Sequence, residues 1–169
     1  MSVALELAAL MTYSDQERDK WRTWIEADPA RLSIPFQMGG RFPTVGSLLD
    51  HVFLVERRHL TRMQGGWLPD KTGIPCGDWR ALLAYPNATR ADLRDYLLGL
   101  TEQTASQWMT FKVSSGTYTM TRRKLASHIL LHEIRHLAQI AYAARLAGHE
   151  PPGEHDFFYA PEETEALDA

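Results

Sequence analysis

An all-α fold, a four-helix bundle with a long connection between its second and third helices, is what this sequence predicts. Three observations carry the prediction. Four long segments hold apolar residues at helical spacing, Gly and Pro clusters separate them, and β-branched alternation is scarce.

The first helix is predicted from about Val3 to Ala27, where Leu7, Leu10, Trp21, Trp24 and Ile25 gather on one face. It stops before Asp28-Pro29, because the residue ahead of a proline resists the helical region. A loop over residues 35–43, with Gly39-Gly40 at its centre, leads to a second helix from about Val45 to Gln64 that Gly65-Gly66 terminate. The connection from Trp67 to Asn87 is too long for a bundle turn and is expected to cross an end of the bundle. Thr89-Arg-Ala-Asp92 has the form of a capping box, so the third helix is expected to begin there, with Leu93, Tyr96, Leu97 and Leu100 on one stripe. Lys112 to Thr119, with Ser-Ser-Gly at its centre, predicts a short hairpin. Thr119 or Thr121 then caps a last helix that Gly148 and Pro151-Pro152 end. The tail from Gly153 is acidic, and His149 and His155 are expected to be exposed to solvent.

The 169 residues fit one domain, 1–169, and 44% hydrophobic residues suffice for a real core. A net charge of -3 argues against nucleic acid as a partner, since phosphate binding needs a basic face. No apolar run has transmembrane length, and the start, Met1 to Met11, carries Glu6 without a basic stretch. A cytoplasmic protein that does not enter the membrane is therefore expected. One cysteine, Cys76 in the turn-like Gly73-Ile-Pro-Cys76-Gly, excludes an intramolecular disulfide and a thiolate-rich metal site.

The last helix holds the chemistry. His128, His132 and His136 stand at i, i+4 and i+8, each about 40° from the next on the helical wheel. From Leu125 to Leu146 only Glu133, Arg135 and Arg145 are charged, and a helix that is apolar on nearly every side is normally buried. Buried imidazoles need partners for their ring nitrogens, and a divalent metal ion serves two of them one turn apart. The competing reading satisfies each ring singly, through a backbone carbonyl or a carboxylate. Two ligands leave a site incomplete, and His51, near the middle of the second helix, is the best candidate for a third. Arg58 and Arg62 share its side of the wheel, so a surface histidine is the alternative there.

A histidine followed by a glutamate in the second helix (His51, Glu56), together with His128, His132, His136 and Gln139 in the last, resembles the DinB/YfiT-like family of small helical metalloenzymes. The resemblance runs from roughly Leu5 to Pro151. It implies a four-helix bundle whose metal ligands are His51, His132 and His136, with His128 as a neighbour of the site. It also implies a homodimer, zinc or nickel as the divalent metal ion, and transferase or isomerase chemistry with a low-molecular-weight thiol as co-substrate and a small-molecule substrate. Where the family often has Arg-Gly after its last histidine, this chain has Leu137-Ala138. Glu133 and Gln139 are the candidates to relay a proton or orient an imidazole.

Three other readings compete. His132-Glu133-Ile-Arg-His136 matches the H-E-x-x-H of zinc proteases, with Glu133 as general base, but the extended pattern meets Gln139 and Tyr142 where it needs glycine and histidine. Glu56-x-x-His59 and Glu133-x-x-His136 form the two E-x-x-H pairs of a di-iron bundle, and that site needs an inward carboxylate from each remaining helix. Glu17 could supply one, whereas Glu102 points to solvent on the wheel. A non-enzymatic reading is a metal-stabilised dimerisation or sensor module.

Overall fold

A computed structural model of the chain describes residues 6–36, 41–67, 71–75, 77–113 and 115–157; Cys76 lies outside them. Four long helices form the bundle: α1 (Leu7–Ala27), α2 (Val45–Met63), α3 (Trp79–Leu98) and α5 (Arg122–Leu146). Between α3 and α5 lie a one-turn α4 (Glu102–Ala105) and a hairpin of β1 (Trp108–Val113) and β2 (Gly116–Thr121), paired antiparallel with Phe111 opposite Tyr118. A 3₁₀ turn, Pro29–Ser33, follows α1. Each of α1 and α2 packs against both α3 and α5, which closes the ring of helices.

The caps explain where these helices start. Thr44 accepts from Ser47 N while the Ser47 hydroxyl accepts from Thr44 N, a reciprocal box that opens α2. Thr121 accepts from Lys124 N and opens α5, one of the two caps expected. The third helix differs from expectation. It begins after Asp78, whose side chain accepts from Ala81 N, and continues through Pro86. Thr89, expected as its cap, is instead buried inside the helix. An interior proline costs a backbone hydrogen bond, and here the burial of Leu82, Leu83 and Leu93 along the same helix offsets it.

The core has two apolar halves. Trp21, Trp24, Ile25, Leu48, Leu49, Phe53, Leu137 and Ile140 fill one. Leu10, Leu60, Met63, Leu93, Leu125, Ile129 and Leu130 fill the other, against which Met109, Phe111 and Met120 of the hairpin lean.

The tail corrects a second expectation. His155 is not a solvent-exposed residue: its ring stacks on Trp21, with centroids 5.3 Å apart, and its Nδ1 lies 2.5 Å from Glu17 Oε2. The Tyr13 hydroxyl donates to the His155 carbonyl, and Trp24 Nε1 donates to the Glu150 carbonyl at 2.7 Å, so the segment after α5 runs back along α1. Among the described residues, no helix is long and apolar enough to cross a membrane.

Candidate metal centre

His51 sits two turns into α2, and the route into that helix is pinned by backbone bonds from Phe36 N to Pro43 O (2.9 Å) and from Val45 N to Ile34 O (3.0 Å). Burial of Leu48, Leu49 and Val52 fixes the rotation of α2 and leaves His51 half-buried toward α5. On α5, burial of Ile129, Leu130, Leu137 and Ile140 does the same for His132 and His136. The three rings meet: one nitrogen from each of His51, His132 and His136 lies within 4.8 Å of the others. His132 Nε2 and His136 Nε2 are 3.1 Å apart.

Burial is the main reason these imidazoles are poor bases. It holds His51 down to about 4, helped by the charges of His136, Arg41 and Arg58. His132 is held to about 2 by burial and then by His136, His51, His128 and His59. His136 is lowered by burial too, against the upward pull of its bond with Gln139. At neutral pH each ring is uncharged, with one nitrogen carrying a lone pair. For His136 the nitrogen is set by Gln139, whose Oε1 lies 2.6 Å from Nδ1. An amide oxygen only accepts, so the proton sits on Nδ1 and the lone pair on Nε2 faces His132.

With the His132 proton on Nδ1 the two Nε2 lone pairs face each other and fit a shared cation; with it on Nε2 the same 3.1 Å is a hydrogen bond to His136. With Zn–N bonds near 2.0–2.1 Å, two nitrogens of a tetrahedral site are about 3.3 Å apart, close to the separation of the two Nε2 atoms. Three imidazoles suit zinc, nickel, copper or iron.

Glu133, on the same helix, faces elsewhere. Its carboxylate is 1% exposed and accepts from the Ser14 hydroxyl (2.5 Å), Arg18 Nε (2.7 Å) and Arg90 Nη1 (3.1 Å). The same two arginines bind Glu56, Arg18 through Nη2 and Arg90 through Nη1, both at 2.8 Å. Thus Arg18, Glu56, Arg90 and Glu133, from α1, α2, α3 and α5, form a buried charged layer between the two apolar halves of the core, and half-buried Asp15 of α1 accepts from Arg90 Nε at 2.6 Å at its edge. Burial pushes the Arg18 guanidinium down and the Glu133 carboxyl up, and in both cases the opposite charges outweigh it: Arg18 is held above its usual range and Glu133 below. The base expected beside the metal is therefore a carboxylate already enclosed by three donors.

This arrangement also removes the di-iron reading. Glu56 and Glu133 are taken by arginines, Glu17 is taken by Lys20 and His155, and Glu102 is exposed beside Arg123. The sequence reading missed Arg18 and Arg90, whose mid-helix positions resemble solvated ones. It also missed Phe42, whose ring lies 4.6 Å from that of His51. The aromatic residue in the glycine-rich loop just ahead of α2 was the available signal. His59 and His128 meet edge to face with centroids 5.3 Å apart, and His128 contacts His132 at the same spacing.

A helical bundle with three histidines converging from its second and last long helices is a bundle with a candidate metal site. The DinB family matches over residues 1–165, and the chain belongs to it. A relative described as "Uncharacterized protein YizA", from Bacillus subtilis (strain 168), is 25% identical over 136 residues, 79% of this chain and 82% of its own length.

Proposed function

We propose that the protein is a metal-dependent enzyme that holds one divalent ion, zinc or nickel, through His51, His132 and His136, and uses it to activate a small thiol for transfer to an electrophilic substrate. The observation that carries this reading is the convergence of three neutral imidazole nitrogens within 4.8 Å. When bound, such an ion deprotonates a thiol outright, whereas it brings water only to a pKa near 7, so at neutral pH sulfur is the easier nucleophile. The chain's own residues set the donors. Gln139 positions His136 by fixing the proton on Nδ1, and burial keeps the three rings free of protons that would compete. We assign Glu133 a positioning role within the charged layer, because its carboxylate oxygens are occupied. The sequence holds a single cysteine, Cys76 in the turn-like Gly73-Ile-Pro-Cys76-Gly, and the thiol of this reading is an external one. A homodimer belongs to the same reading, with Leu131, Tyr142 and Leu146 as exposed apolar residues on α5 that a second copy would cover.

The test is metal content and thiol conjugation together. His51→Ala, His132→Ala and His136→Ala should each lose the ion nearly completely, and His132→Ala should lose conjugation of a generic electrophile across a panel of cellular thiols. Full metal retention by His51→Ala overturns the three-histidine site. Equal conjugation rates for metal-loaded wild type and His132→Ala overturn the thiol reaction.

A further inference from the structure

The first half of α2 forms one wall of an open cavity of about 360 Å³, a size within the range of small-molecule sites. Its apolar lining comes from four stretches of chain: Leu32 of the 3₁₀ turn, Pro43 ahead of α2, Ile74 and Pro75 of the connection to α3, and Trp79 and Leu82 of α3 itself. Each wall has a local cause. Gly46 lets the 3₁₀ turn press on α2, because a Cβ there would lie 3.1 Å from the Leu32 carbonyl oxygen. The Thr72 hydroxyl donates to Asp50 at 2.5 Å and accepts from Ile74 N at 3.3 Å, which ties the connection to α2. Asp78 caps α3, and the Arg80 guanidinium lies over the Trp79 ring at 4.2 Å.

Polar groups of the lining already serve the fold. Thr44 and Ser47 cap each other, Asp50 accepts from Thr72, and Asp78 accepts from Ala81 N. No lysine or arginine is among the lining residues, so nothing there neutralises an anion, and the two carboxylates repel one. What is left to recognise a ligand is apolar surface. The cavity also adjoins the candidate metal centre. Ser47 lines it one turn before His51, about 6 Å along the helix axis and about 40° around it. Pro43 lines it next in the chain to Phe42, whose ring lies 4.6 Å from that of His51.

We propose that this cavity binds an uncharged, apolar group of the electrophilic substrate and holds it there while the reacting carbon lies toward His51. The inference rests on the metal-and-thiol reading above for the reacting end, and it names the substrate class. In the transfer the thiol gives up its proton, its sulfur bonds to the electrophilic carbon, and the leaving group departs with the electrons of the bond it held. Enclosing the apolar group supplies the affinity, about fourfold for each methylene buried.

Two measurements test it. Calorimetry on EDTA-treated protein compares N-butylacetamide with N-hexylacetamide, neither of which can react with a thiol. The hexyl compound should bind about tenfold or more tightly, with a negative heat-capacity change, because two further methylenes are enclosed. Ile74→Trp, which fills the cavity, and Ile74→Asp, which charges it, should each remove most of that margin at a urea midpoint close to wild type. Metal-loaded protein is then given a thiol with N-butyl- or N-hexyliodoacetamide, where sulfur displaces iodide, and kcat/KM should favour the hexyl compound by a similar factor. Equal affinities for butyl and hexyl chains in the wild type overturn the inference. So does a margin that survives in both variants, or an ammonium-terminated hexyl chain that binds as tightly as the plain one. Binding that follows chain length beside conjugation rates that do not overturns the link between cavity and reaction. Binding that follows chain length without any conjugation above the protein-free rate leaves the apolar cavity standing and sinks the metal-and-thiol reading.

Discussion

Removing Arg18 should cost this protein a large share of its stability. The guanidinium lies 2.8 Å from Glu56 Oε2 and 2.6 Å from Glu133 Oε1, and all three side chains are under 10% exposed. It also lies over the Phe53 ring at 5.2 Å. Arg18→Ala leaves two buried carboxylates facing one arginine, Arg90, which Asp15 also engages. Stripping one partner from a buried ion pair costs about 3–5 kcal/mol, against a total of about 5–15 kcal/mol for a typical domain. For a chain of this size that corresponds to a fall in Tm of roughly 6–20 °C. Urea unfolding of EDTA-treated protein, at one fixed protein concentration, measures it. Arg18→Lys should lie between, since it keeps the charge and loses the fork. Replacing all four members with apolar residues of similar volume should restore stability close to wild type, because the desolvation cost disappears with the charges. A loss below about 1 kcal/mol for Arg18→Ala, the level of an exposed pair, would refute the reasoning. A fourfold variant as unstable as the single one would refute it too.

Gln139→Leu should remove the acceptor that fixes the proton of His136, lowering metal affinity by about 10–100-fold while leaving the unfolding midpoint of the metal-free protein unchanged; competition with a chromophoric chelator reads the first and urea the second. Metal-free protein should also lose stability in acid. His51, His59 and His132 are depressed to about 4, 3 and 2 in the folded chain, mainly by burial, so unfolding below about 6.5 takes up protons that the native state refuses. Their contribution is complete above pH 6.5 and declines as pH falls from there toward 4, and His59→Asn should flatten the slope. Equal urea midpoints at pH 7.5 and 5 would contradict it.

The bundle and the histidine face were legible in sequence because they are periodic. An i, i+4 pair in an apolar helix has few places to point, and Thr121 marks its start in plain local terms. The start of α3 was not legible, because Thr89-Arg-Ala-Asp92 imitates a cap and Pro86 resembles a stop, while burial of Leu82 and Leu83 carries the helix through both. The charged layer escaped for a different reason. On its own helical wheel each of Arg18, Glu56 and Arg90 can be read as a surface residue, and only four helices together make them an interior. His155 reaches Glu17 across 138 residues of sequence, which no local pattern encodes.

The layer formed by Arg18, Glu56, Arg90 and Glu133 has a further consequence, for misalignment. A bundle with two apolar halves tolerates sliding, since leucine packs against leucine in many alignments. Sliding α5 by one turn, about 5.4 Å, would carry Glu133 out of the layer and against apolar neighbours such as Phe53 or Leu60. A stranded buried charge costs several kcal/mol, more than looser packing would recover. Wrongly threaded bundles are thereby disfavoured by the chain's own charges, with or without an ion. His132 flanks Glu133 in the chain and His51 lies five residues before Glu56, so the alignment that rescues the charges is also the one that brings the three imidazoles together.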